Sequence, residues 1–94
     1  MAISLLRVAF HLAGCRSLKE KRGRLRGLKD RFGKQAQVAV AEADFPDEHQ
    51  RAVWDFVAVA SDARVVEQTL ARIENELAVS VDAVITSVDR IRLD

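Results

Sequence analysis

Apolar and polar positions alternate along the first dozen residues. Leu6, Val8, Phe10 and Leu12 share one face of an extended segment, and Ile3, Leu5, Arg7, Ala9 and His11 share the other. A period of two predicts a strand over 3–12, followed by a turn at Ala13-Gly14-Cys15-Arg16. From Ser17 the period changes. Ser17-Leu18-Lys19-Glu20 fits a capping box, and Leu18, Leu25, Leu28 and Phe32 fall within about 80° on a helical wheel. One helix is therefore predicted over 17–33, closed by Gly33 and weakened at Gly23 and Gly27, each by up to about 1 kcal/mol relative to Ala. Alternation returns over 37–44, a second strand, and Pro46 in the polar loop 45–50 stops it. A third strand over 52–60 sets Trp54, Phe56 and Ala58 against Val53, Asp55, Val57 and Val59. Ser61 or Asp62 then caps a second helix whose apolar stripe is Ala63, Val66, Leu70, Ile73 and Leu77. Residues 81–93 read as a last strand, with Asp82 and Asp89 blurring its register.

The order βαββαβ predicts an α+β fold of the ferredoxin-like kind. Right-handed crossovers put both helices on one face of a four-stranded antiparallel sheet. The first and second strands then run the same way with the third between them. Their C-terminal ends meet the start of the first helix and the loop 45–50 at one end of the molecule, the loop end. The uncovered sheet face is expected to carry Ile3, Leu5, Val53, Val57 and Val59 beside Arg7 and Asp55. Those aliphatics exceed what a water-facing sheet needs, so a homodimer through that face is an expectation.

Size and composition narrow the class. Ninety-four residues with 49% hydrophobic positions suffice for one core, and the chain reads as a single domain over 1–94. No stretch approaches the roughly 20 apolar residues that cross a bilayer, and the first residues lack the apolar run of a signal peptide. The single cysteine, Cys15, excludes an internal disulfide and a multi-thiolate zinc site. A soluble, cytoplasmic protein is expected. Four Phe, one Trp and no Tyr are few for a base-stacking platform. Net charge is +1, yet residues 16–34 carry +7 and the remainder −6.

That asymmetry makes the first helix the leading candidate site. Lys19, Arg22, Arg26 and Lys29 fall within about 80° on the wheel, with Arg16 just before, and such a stripe can track phosphates. Lys21 instead projects from the centre of the apolar stripe. Either its stem covers core edge while its ammonium reaches water, or it pairs with a carboxylate, for which Glu42 is placed. His11, Lys21, Glu42, Asp44 and Arg51 are all expected at the loop end, as a ligand site or a structural ion-pair cluster. An anionic ligand there would be held by Lys21, Arg16 and Arg51, and an enzyme would use His11 and Glu42 as acid–base groups. Cys15 precedes a helix start, where the dipole lowers a thiol pKa, but a phosphatase-like loop needs Arg where Lys21 stands. His11, His49, Asp44, Asp47 and Glu48 match no compact metal-ligand spacing. With no phosphate loop, nucleophile elbow or HExxH, no catalytic residue, metal or cofactor is assigned.

The stretch Leu6-Arg-Val-Ala-Phe-His-Leu-Ala-Gly-Cys-Arg-Ser-Leu-Lys-Glu-Lys-Arg22 resembles the signature of the YlxP-like family of small bacterial proteins. Arg16-Ser-Leu-Lys-Glu-Lys-Arg22 after a His-containing strand carries most of the likeness. Val40-Ala-Glu-Ala-Asp44, the Asp47 loop, Gln50-Arg-Ala52 and Ser61-Asp-Ala63 agree in order and spacing. The chain departs at Ala9, where relatives often carry an acidic residue, and at Ala13, where proline is common. The resemblance implies a ferredoxin-like fold without an established enzymatic activity. It also implies a gene neighbourhood of translation initiation and ribosome maturation factors. The expected function is therefore a non-enzymatic binding protein that contacts RNA or a ribosomal surface through its basic first helix.

Overall fold

The computed structural model describes residues 1–94, and in it the alternating segments form the strands they predict. In chain order the elements are β1 (Ala2–His11), α1 (Leu18–Arg24), α2 (Leu28–Gly33), β2 (Val38–Asp44), β3 (Arg51–Ala60), α3 (Ala63–Ser80) and β4 (Val84–Arg92). The sheet order is β2-β3-β1-β4, with every neighbouring pair antiparallel. This is a ferredoxin-like α+β fold. No helix is long and apolar enough to cross a membrane.

Side-chain alternation decides what the helices cover. Leu6, Val8, Phe10, Ala52, Phe56 and Ala58 are buried beneath them. α3 adds Val66, Leu70, Ile73 and Leu77, all at most 1% exposed, whereas Ala63 lies outside the stripe and is exposed. The other sheet face carries Ile3, Leu5, Val53, Val57 and Val59, half-buried, around the Arg7–Asp55 pair. That pair is bidentate, at 2.8 and 2.9 Å.

The predicted first helix is two helices. α1 ends with Leu25 as its C-cap, and Gly27, at φ 91°, starts α2 in the left-handed region that favours glycine. Short-range bonds from the Arg26 N–H to the Gly23 carbonyl and from the Leu28 N–H to the Leu25 carbonyl, both 3.3 Å, tighten the join. The wheel therefore does not apply across Arg26, which lies in the turn between helices. The break keeps Leu25, Leu28 and Phe32 buried together, and Phe32 meets Phe56 edge-to-face at 5.6 Å.

The start of α1 is capped as the sequence predicts, with one displacement. Ser17 Oγ accepts from the Glu20 N–H at 3.0 Å, while the Glu20 carboxylate accepts from the Arg16 N–H at 3.1 Å, one residue before the cap. Arg24 fastens the helix at its other end. Its guanidinium donates to the Asp82 carbonyl at 2.9 Å and the Ala13 carbonyl at 2.8 Å, tying α1 to two chain connections.

Candidate functional site

Lys21 sits one turn into α1 on its apolar side and is 3% exposed. Its ammonium donates to the Phe45 carbonyl at 2.7 Å and to the Glu48 carbonyl at 2.8 Å. Glu42 Oε2 lies 4.0 Å away, at the limit of an ion pair. The main partners of the ammonium are thus two main-chain carbonyls. Neither a solvent exit nor the carboxylate alone, the two alternatives the sequence offered, describes it. The loop it holds is bent: Phe45 has φ 59°, and its N–H donates to Asp44 Oδ1 at 2.8 Å. Lys21 therefore helps fix a left-handed aromatic residue, a conformation that costs on the order of 1–2 kcal/mol.

The five loop-end residues do not converge. Glu42 pairs in register with Trp54 and Val8 pairs with Trp54, which sets Glu42 on the helix-covered face with Lys21. Asp44, beyond a bulge in β2, pairs with Val53, and His11 pairs with Arg51, both on the open face. Arg51 lies over the Phe45 ring at 3.7 Å and within 3.5 Å of Glu48. Period-two alternation separates the set, since residues at the same end of a sheet can still point to opposite sides. An anion held jointly by Lys21, Arg16 and Arg51 therefore has no common site. His11 and Glu42 likewise stand on opposite faces, so they cannot act as an acid–base pair on one substrate.

The basic residues are better grouped. Arg22, Arg26 and Lys29 line one cavity of about 400 Å³ where the α1–α2 break overhangs the edge of the sheet. Three carboxylates share the lining: Asp30 from α2, Glu42 from β2 and Asp47 from the loop. Leu25 and Trp54 add apolar wall. Arg16 and Lys19 are exposed nearer the start of α1 and do not line it. The cavity exists because α2, six residues long, covers the β2 edge less fully than the long α3 covers the rest of the sheet.

Of these lining groups, Trp54 and Asp30 escaped sequence reasoning as site residues, and Asp47 was weighed there only as a metal ligand. The alternation of β3 does place Trp54 on the covered face, but nothing in the pattern says that its cover is incomplete. Its indole Nε1 is buried without an acceptor. Such a donor costs on the order of 1–3 kcal/mol. Trp54→Phe removes it along with part of the ring. The two effects oppose, so unfolding stability followed by circular dichroism is expected to change by less than about 1 kcal/mol, well under the usual loss for a large-to-small change. A loss above about 3 kcal/mol would show that the indole is satisfied or packed throughout.

Charge pairing differs sharply between the basic segment and the rest of the chain. Of the nine cations from Arg16 to Lys34, only Lys21 and Arg24 reach a carboxylate. Outside that segment Arg7, Arg51, Arg64, Arg90 and Arg92 all do, and Arg72 alone does not. Arg31 donates to the Ser80 hydroxyl at 2.9 Å. Arg16, Lys19, Arg22, Arg26, Lys29 and Lys34 are left with neither a carboxylate nor any other hydrogen-bond partner for their side chains.

Cys15 is 1% exposed and its thiol donates to the Ser17 carbonyl at 3.4 Å. The expected acidifying effect of the helix start does not prevail. Burial, and then the neighbouring Glu20, push the thiol up. Glu20 in turn is held below the usual carboxylate range by the Cys15 thiol and by the Arg16 N–H. At the open rim of the loop end, His11, Asp47, Glu48 and His49 line one shallow depression. No group of three or more His, Cys, Asp and Glu side chains is close enough to hold a metal ion.

Comparison with known proteins gives the fold and the family. A solved structure described as a candidate chlorite dismutase superposes with a TM-score of 0.58 at 8% identity, over 100% of this chain and 43% of that one. An amidase of the hydantoinase/carbamoylase family from Burkholderia phymatum gives a TM-score of 0.46 at 12% identity, over 99% of this chain and 28% of that one. This chain therefore spans less than half the length of either, and the first likeness shows a shared fold alone. No curated protein matches the chain. A family model does match, over residues 3–90, and the chain belongs to that family, DUF503, proteins of unknown function.

Proposed function

We propose that this chain is a YlxP-like member of its family and a cytoplasmic, non-enzymatic RNA-binding protein. It contacts RNA, including RNA presented on a ribosomal surface, through Arg22, Arg26 and Lys29, with Arg16 and Lys19 extending the contact. The observation that carries this reading is the run of cations without carboxylate partners between Arg16 and Lys34, in a protein whose other arginines are nearly all paired. A paired cation must give up its carboxylate to take a phosphate, and an unpaired one exchanges only water and counterions. Electrostatic attraction of this kind reads the phosphate backbone and is independent of sequence.

Co-sedimentation with ribosomal subunits and with bulk RNA across a salt series tests the reading. Phosphate contacts by Arg22, Arg26 and Lys29 alone predict a slope of log K against log salt of about −2 on single-stranded RNA, and contacts by all five cations about −3.5. Reversing Arg22, Arg26 and Lys29 to glutamate is expected to abolish binding while leaving the fold intact, since all three side chains are exposed. Absence of binding at low salt, or equal binding by the reversed variant, defeats the proposal.

A further inference from the structure

The cavity beneath the unpaired cations is not itself uniformly cationic. Arg22, Arg26 and Lys29 are matched there by Asp30, Glu42 and Asp47, so a ligand that is only an anion meets as many repelling groups as attracting ones. The ammonium of Lys21 changes little, since the Phe45 and Glu48 carbonyls occupy it. A ligand matched to the whole lining presents both anionic groups and N–H donors around a flat apolar body. Leu25 and Trp54 supply the wall for that body. A volume of about 400 Å³ falls within the range of small-molecule sites and accepts one nucleotide.

We propose that the cavity takes a single unstacked RNA base whose Watson–Crick edge donates to these carboxylates, guanine best and uracil worst, while Arg22, Arg26 and Lys29 hold the adjoining phosphates. The proposal rests on the RNA reading above and adds base preference to it. Guanine offers a ring N–H and an amino group side by side, a bidentate match to the two oxygens of one carboxylate. Uracil offers one ring N–H between two carbonyls, which the carboxylates repel. Unstacked bases read on this edge are the ordinary object of sequence-specific RNA recognition. Arg16, Lys19 and Lys34, unpaired and outside the cavity, provide for the strand on either side.

Trp54 is the single tryptophan and the chain has no tyrosine, so intrinsic fluorescence reports on this cavity. The probes are a hexamer of uridine and the same hexamer with one central guanosine. They carry equal charge, so backbone attraction cancels between them. The guanosine hexamer is expected to bind at least about fivefold more tightly, the lower end for one good base contact, and to change the Trp54 emission. A variant with Asp30→Asn, Glu42→Gln and Asp47→Asn is expected to bind the uridine hexamer at least as well as the parent, having lost three negative charges, and to lose the preference. A merely structural role for the carboxylates would not move affinity and selectivity in opposite directions. The wild-type comparison stands by itself if that variant does not fold. Equal affinity for the two hexamers, or a Trp54 emission that neither alters, overturns the base site. RNA binding is then judged separately by the salt-dependent co-sedimentation, which can succeed when the base site fails.

Discussion

Replacing Lys21 with alanine is expected to lower stability by about 4 kcal/mol, a large share of the total for a domain of this size. Two contributions add. Hydrogen bonds from an ionised donor contribute about 1.5–3 kcal/mol each, and the Phe45 and Glu48 carbonyls lose theirs together, with some recovery from water at the half-exposed loop. The buried stem contributes further, at about 0.8 kcal/mol for each methylene taken from water. Lys21→Met separates these. It keeps the stem and loses the ammonium, so about half the penalty, roughly 2 kcal/mol, is expected to remain. Urea denaturation of the two variants gives both values, and amide exchange should quicken first at residues 45–48. A Lys21→Met protein as stable as the parent would mean that desolvating the ammonium costs as much as its bonds return. Lys21 would then serve to shape the loop without stabilising the fold.

Phe32→Ala is expected to cost about 4–5 kcal/mol and to act locally. The ring is fully buried and meets Phe56 edge-to-face at 5.6 Å, so truncation leaves a cavity and removes an aromatic pair. Such changes cost about 3–5 kcal/mol for the cavity and transfer loss, with up to about 1 kcal/mol more for the ring contact. The location matters more than the size. A six-residue helix is unstable in isolation, and α2 has no side-chain cap at Gly27, so packing alone holds it. Hydrogen exchange in Phe32→Ala should therefore expose α2 while α3 stays protected. Leu70→Ala in the long helix should instead weaken the domain as a whole. If α2 and α3 lose protection together in Phe32→Ala, the core is a single cooperative unit and α2 is not its weak edge.

Both predictions bear on the cavity, because α1, α2 and the 45–48 loop supply most of its lining. Lys21 joins α1 to the loop, and Phe32 holds α2 on the sheet. A protein that lost either would keep its basic residues but not their grouping. RNA binding driven by charge alone would then survive, while the preference for guanine would not.

The amino-acid order determined much of this by itself. Period-two alternation in β1 and β3 decided which side chains lie under the helices, since a one-residue slip would have exposed Leu6, Val8, Phe10 and Phe56 together. The 3.6-residue stripe of α3 and the Ser17 cap were legible for the same reason, because both are local geometry. Gly27 was visible as a weakness, but its φ of 91° was not, because glycine also tolerates helical values and only packing of Leu25, Leu28 and Phe32 selects the break. Lys21 was visible as an anomaly on an apolar face, and its partners were not, since they are main-chain carbonyls twenty-four or more residues away. The concentration of charge at 16–34 was plain in the sequence. That most of it lacks carboxylate partners, that four of its cations, Lys21 among them, share a cavity with three carboxylates, and that His11, Asp44 and Arg51 stand on the opposite face were decided by the tertiary structure. Periodicity records which way a side chain leaves its own element, whereas a site depends on distances between elements, and those are set only when the layers pack.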